Sequence, residues 1–205
     1  RTVHYYQKII MPLDYAIALT GGIAVGKSTV INLLKLHGYH TIDADKIAHE
    51  LLDTFSSNIV QLFGEQYATN GRVNRKQLGE LVFNNKTAKT TLESFLHPKI
   101  RDEIHAQAYV REKRKFTYFI DIPLFFETQQ YDIKTSLLIY TPKAVQVTRL
   151  MERDNLTHEQ SLARISSQMD IEEKKPLATY IIDNTKDLKH LEKGCEEFME
   201  IIKIK

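Results

Sequence analysis

Few folds can hold residues 15–38. An apolar run, Tyr15-Ala16-Ile17-Ala18-Leu19, leads directly into Thr20-Gly21-Gly22-Ile23-Ala24-Val25-Gly26-Lys27-Ser28-Thr29. Val30, Leu33, Leu34 and His37 follow at helical spacing, and Gly38 stands where a helix would stop. The order is therefore strand, glycine-rich loop, helix. The loop fits G-x-x-x-x-G-K-[ST], with Gly21, Gly26, Lys27 and Ser28 in the fixed positions. Gly21 and Gly26 are expected to take backbone angles that a Cβ forbids, so that successive N–H groups converge on one phosphate. Lys27 would set an ammonium on the β- and γ-phosphates of a nucleotide, and Ser28 a hydroxyl on Mg²⁺. A helix N-terminus behind such a loop favours an anion through its dipole and its free N–H groups.

The rest of the chain repeats the alternation. Strands are expected at Tyr39–Ile42, Phe116–Ile122, Ser136–Tyr140 and Tyr180–Asn184, each rich in β-branched or aromatic residues. Between them lie helical patterns: Ile47 to Phe55, Arg75 to Phe83, Lys86 to Leu96, a further helix begun by Pro98, one begun near Pro142, one opened by Thr157-x-x-Gln160 as a capping box, and a closing helix from Leu188 to Ile202. Asn58 to Asn70 reads as a short helix and a loop, with Asn70-Gly71 as a turn. The fold class is α/β: a five-stranded, mainly parallel sheet between helices, of the phosphate-loop NTPase three-layer type. In such sheets ligands lie beyond the carboxyl ends of the strands, where the loop, Asp43, Asp45, Asp121 and Asn184 all fall.

Composition narrows the functional classes. A formal net charge of +2 implies no general nucleic-acid-binding surface. Arg111, Lys113, Arg114 and Lys115 read as a solvated helix end. The single cysteine, Cys195, excludes an intrachain disulfide and a cysteine zinc site, and suits a cytoplasmic location. No apolar run reaches membrane-spanning length. Residues 1–10, ahead of Met11, are expected to be a non-native extension, with residues 11–205 as a single domain.

A phosphate loop specifies a nucleotide rather than a reaction. The guanine-reading Asn-Lys-x-Asp motif of GTPases is missing. A small-molecule kinase needs a carboxylate for the acceptor's proton and cations over the transferring phosphate. Asp43 and Asp45 offer the carboxylate, with N-capping of the helix Lys46–Phe55 as the structural alternative for Asp45. Arg149 and Arg153, four apart on one helical face, offer the cations, with pairing to Glu152 or Asp154 as the alternative. Asp121 ends the aromatic strand and is either an acid near Mg²⁺ or a turn acid before Pro123. His97-Pro98 marks a turn between two helices and is either a junction or a substrate contact.

Taken together these segments resemble the dephospho-coenzyme A kinases. The likeness rests on Leu19-Thr20-Gly21-Gly22-Ile23, Ile42-Asp43-Ala44-Asp45-Lys46, Gly71-Arg72-Val73-Asn74-Arg75, Leu96-His97-Pro98-Lys99-Ile100-Arg101, Asp121-Ile122-Pro123-Leu124-Phe125-Phe126-Glu127, Arg149 and Arg153 with Gln168, and Ile182-Asp183-Asn184. It departs at Ala24-Val25, where that family usually has glycine and a small residue. The resemblance implies transfer of the γ-phosphate of ATP, with Mg²⁺, to the 3′-hydroxyl of dephospho-coenzyme A. It implies a nucleotide-binding core (about 15–54, 116–148 and 178–205), a helical substrate insertion (about 55–115) and a lid (about 149–177). Asp45 would be the base, and Lys27, Arg149 and Arg153 would act on the phosphates. ATP would lie against Gly22, Ala24, Val25, Gly26, Ser28 and Thr29, with Arg149, and Asn184 towards the adenine. Thr20, Asp43, Asp45, His97, Arg101, Pro123 and Leu124 would meet the acceptor, and Ser28 and Asp121 the metal. The acceptor's arm would use Leu78, Val82, Phe83, Phe95, Leu96 and Lys99 beside His97 and Arg101. The expected partner is a small molecule, with no nucleic acid or membrane, and the expected state is a monomer or weak homo-oligomer. The competing readings are a nucleoside-monophosphate-type kinase and a nucleotide-dependent switch.

Overall fold

The computed structural model describes residues 12–203; the expectation for residues 1–10 lies outside them. In chain order the elements are β1 (Ala16–Gly21), α1 (Lys27–Leu36), β2 (Thr41–Asp43), α2 (Ala44–Thr54), α3 (Ser56–Phe63), β3 (Ala68–Thr69), β4 (Arg72–Val73), α4 (Arg75–Asn84), α5 (Lys86–Arg114), β5 (Tyr118–Asp121), α6 (Phe125–Thr128), β6 (Thr135–Tyr140), α7 (Lys143–Asp154), α8 (His158–Ile165), α9 (Ile171–Lys174), β7 (Tyr180–Asp183) and α10 (Leu188–Lys203). Among the described residues they fall into two compact units, residues 43–107 and residues 12–42 with 108–203.

The sheet unit is built on the strand order β2-β5-β1-β6-β7. β1 pairs in parallel with both β5 and β6, and β6 with β7, so β1 is central. All six of its residues are buried, which is why Ala16 to Leu19 form a continuous apolar run instead of alternating. Helices α1 and α10 add Val30, Leu34, Leu191, Cys195, Phe198 and Ile202 to the core beside Leu19, Phe119 and Leu137. Helix α1 ends as expected: Gly38 has φ +87, and its N–H and that of Tyr39 close onto Lys35 and Leu34 carbonyls. The Thr157–Gln160 capping box is present at the start of α8.

The helical unit holds two departures from expectation. The 58–70 segment was expected to end in a loop, yet residues 68–73 form a small antiparallel hairpin. Asn70 and Gly71 both take positive φ (51° and 75°), the geometry that a tight hairpin turn requires. Asp53 of α2 fixes this hairpin by accepting the Val73 N–H at 3.0 Å and pairing with Arg75 at 2.7 Å. Those contacts, led by the Val73 N–H, hold its carboxyl below the usual value. The second departure is α5. Two helices with a turn at His97-Pro98 were expected, but one 29-residue helix runs through with Pro98 inside it. The proline removes one N–H, and nearby Lys99 Nζ donates to the Phe95 carbonyl at 3.2 Å. Lys99 also lies over the Phe95 ring at 4.0 Å and the Phe55 ring at 5.2 Å, so the turn around the proline is held by side-chain contacts.

Candidate active site

The two fixed glycines of the loop are glycine for different reasons. Gly26 caps α1 in the left-handed region (φ +88), and a Cβ there would lie 2.2 Å from Asn184 Nδ2. Gly21 is not left-handed, which corrects the expectation for it. It is tight because it ends β1 against β6, where a Cβ would meet Val25 Cγ2 at 2.7 Å and the Ile139 carbonyl at 3.1 Å. The residue with an unexpected left-handed backbone is Ala24 (φ +59), at the position where the sequence departs from the usual family pattern. The Val25 carbonyl accepts from Asn184 Nδ2 at 2.8 Å and Thr141 Oγ1 at 3.3 Å. Neither of these residues lines the cavity beside the loop. Because a trans peptide points its C=O and N–H in opposite directions, that grip turns the Gly26 N–H the other way.

The cavity has a volume of about 470 Å³. Its wall is Gly21 to Ser28 with Ile31, Asp121, Pro123, Arg149, Arg153 and Gln168. Lys27 Nζ is paired with Asp121 Oδ1. The two arginines of α7 differ in environment. Arg149 donates to the Asn184 carbonyl at 2.9 Å and Thr141 Oγ1 at 3.3 Å, and not to Glu152. Arg153 takes the structural alternative weighed from sequence: it pairs with Asp154 through Nε at 2.8 Å and through a second nitrogen at 3.1 Å, and Arg164 shares that carboxylate. Gln168 Oε1 accepts the Ile23 N–H at 3.0 Å.

A family model described as CoaE, dephospho-CoA kinase, matches residues 15–190. The chain belongs to the dephospho-CoA kinase family. It is 53% identical over 195 residues to the dephospho-CoA kinase of Sulfurimonas denitrificans, covering 95% of this chain and 98% of that one. Among solved structures it resembles the dephospho-CoA kinase from Campylobacter jejuni, with TM-score 0.73, 39% identity and coverage of 92% of this chain and 97% of that one. A shikimate kinase from Bacteroides thetaiotaomicron, at TM-score 0.50, 16% identity and coverage of 92% and 98%, shares the fold alone.

Several residues assigned through the resemblance to the dephospho-CoA kinases sit differently from expectation. Thr20 is fully buried, and its hydroxyl donates to the Pro123 carbonyl at 3.0 Å, which shapes the turn after β5. Asn184 is buried behind the loop and not in the cavity wall, so its observed work is on Val25 and Arg149. Thr29 is in the first turn of α1 and Leu124 is exposed ahead of α6; only Pro123 of that pair lines the cavity. Asp43, and not Asp45, caps α2, accepting the Lys46 N–H at 2.8 Å. Asp45 is exposed in the first turn of α2 and makes no hydrogen bond or ion pair among the described residues. His97 is half-buried on α5, and burial, aided by Arg101 and opposed by Glu93, holds its pKa below the ordinary value. Arg101 is exposed one turn further along α5.

For Mg²⁺, the donor set is the test. Magnesium takes oxygen ligands, keeps several waters, and binds beside phosphates through one or two protein groups instead of a full cage. Ser28 and Asp121 supply a hydroxyl and a carboxylate on one cavity wall and fit that requirement. The groups missed from sequence are Thr141, Gln146 and Lys174. They are buried polar residues, and Thr141 and Lys174 each reach the loop from more than a hundred positions away, at the Val25 and Gly21 carbonyls.

Proposed function

We propose that this protein transfers the γ-phosphate of ATP to the 3′-hydroxyl of dephospho-coenzyme A, giving coenzyme A and ADP. The observation that carries the donor half is the loop: a left-handed Gly26 at a helix N-terminus, with its neighbouring carbonyl pinned from behind and Lys27 in the cavity wall. Family membership carries the acceptor half. Lys27 holds the β- and γ-phosphates after leaving Asp121. Ser28 and Asp121 hold Mg²⁺, which when bound neutralises charge on the phosphate oxygens. Arg149 is fixed at the cavity, and Arg153 leaves Asp154 for the transferring group. Asp45, exposed and unengaged, takes the proton of the 3′-hydroxyl as that oxygen bonds to the γ-phosphorus and the bond to the β-phosphate oxygen breaks. Asp43, His97, Arg101, Pro123 and Leu124 are the remaining acceptor contacts in this reading, with exposed Phe83 a surface for the pantetheine arm. Residues 149–177 act as a lid over the core. The enzyme works in the cytoplasm as a monomer or weak homo-oligomer without nucleic acid, in keeping with its small net charge.

The test is an ATP-consumption screen over dephospho-coenzyme A, adenosine, nucleoside monophosphates and pantetheine. Dephospho-coenzyme A should be the best acceptor and adenosine a poor one, because binding of the remote arm helps to orient the hydroxyl. Product analysis should place the phosphate on the 3′ position. Preference for a nucleoside monophosphate, or a phosphate on the 5′ end, would overturn the acceptor and leave the kinase.

A further inference from the structure

The run Glu172-Glu173-Lys174-Lys175 reads as solvated charge, yet Lys174 has no exposed surface. Its Nζ donates to the Gly21 carbonyl at 3.0 Å and pairs with Glu127 Oε1 at 2.6 Å. Glu127 also accepts the Met169 N–H at 3.2 Å, and its Oε2 is buried with no hydrogen-bond partner among the described residues. Six residues upstream of Lys174, Gln168 holds the Ile23 N–H. One short stretch thus grips the two peptide groups on either side of Gly22, one by its carbonyl and the next by its N–H.

Fully buried lysines are rare, and a buried ion pair is often no more stable than apolar residues of the same size. Stability alone therefore gives Lys174 little reason to be there. Geometry gives it one. Lys174 is outside the cavity wall and Gly22 is in it. With the Gly21 carbonyl drawn onto the ammonium, the planar peptide turns the Gly22 N–H away from Lys174. Without that donor the peptide is free to rotate and the first bend of the loop loses its orientation.

We propose that Lys174 is a positioning residue for nucleotide binding: its ammonium, held by Glu127, fixes the Gly21–Gly22 peptide and so pre-forms the phosphate loop. This rests on the ATP-binding half of the proposed function and is independent of the acceptor.

Lys174→Met alone strands the Glu127 charge and is expected to lower stability, so the deciding variant is Lys174→Met with Glu127→Gln, which removes both charges at similar volume. Thermal melting and calorimetric binding of MgATP, with no acceptor present, are the two readouts. The double variant should melt within a few degrees of wild type and bind MgATP at least tenfold more weakly. With acceptor, its KM for ATP should rise by a similar factor while kcat at saturating ATP changes less. A folded double variant with wild-type MgATP affinity would overturn the proposal. So would a double variant that cannot fold, because the ion pair would then be needed for stability. Wild-type protein that binds no MgATP would instead sink the donor reading itself, and this inference with it.

Discussion

Around the loop, Thr20, Thr141, Gln146, Lys174 and Asn184 are buried and each is hydrogen-bonded, whereas Asp45 and Arg101 of the helical unit are exposed, with no hydrogen bond or ion pair among the described residues. The sheet unit has settled the orientation of its polar groups during folding. Asp45 and Arg101 stand in water, and ordering such side chains in a complex costs about 0.5–1.5 kcal/mol each. The difference teaches that the polar groups behind the loop are settled by folding, whereas Asp45 and Arg101 are left without a partner among the described residues.

The strongest way to break this contrast is Lys27→Ala. It removes a preorganised charge from the donor half, and such contacts contribute on the order of 3 kcal/mol or more to the transition state. Turnover should fall by about two decades or more while the melting temperature moves by a few degrees at most. Near-normal turnover would remove the loop from the mechanism.

A pair of substitutions sharpens the contrast on the helical side. Asp45→Asn keeps shape and loses the proton acceptor; turnover should drop about a hundredfold with an unchanged melting curve. Asp43→Ala should do the reverse in stability, costing about 1 kcal/mol through the lost α2 cap. Equal stability losses in the two variants would mean that Asp45 has a structural partner after all.

The smallest expected effect tests how far the loop is settled. Ala24 sits at φ +59, where an L-residue is strained by about 1–2 kcal/mol relative to glycine. Ala24→Gly relieves this, and the greater freedom of glycine in the unfolded chain offsets about 0.4–1 kcal/mol. Denaturant titration should find a gain of up to about 1 kcal/mol with MgATP affinity within twofold. A loss of stability would show that the Ala24 side chain supplies packing worth more than its strain.

The five strands, the loop and the capping box were legible because each is local: an apolar run, a fixed spacing, a Thr and a Gln three apart. The break expected at Pro98 was wrong because a proline's local cost is read from sequence while the contacts that absorb it, Lys99 against Phe55 and Phe95, are only partly local. The hairpin at residues 68–73 escaped because strands of two residues have no periodicity to detect. Asp121 and Arg149 could be nominated for the cavity from position alone. Lys174 could not, since a charged run signals solvent and its partner Glu127 is 47 residues away. Asn184 was placed correctly at a strand end, but its bond to Val25 could not be read from sequence, because it spans 159 residues.

The one cysteine has a consequence for the chemistry of the solution in which such an enzyme would work. The proposed acceptor and its product both end in a thiol, and thiols exchange with any disulfide or oxidised cysteine in reach. Cys195 is 1% exposed in the core between α10 and the sheet. Burial first, with Glu192 and Glu196 adding to it, pushes its thiol up to about 11. At neutral pH about one such group in ten thousand is ionised, and the thiolate is the reactive form. Cys195 is therefore shielded both sterically and by its ionisation from forming a mixed disulfide with the very molecules the enzyme would handle.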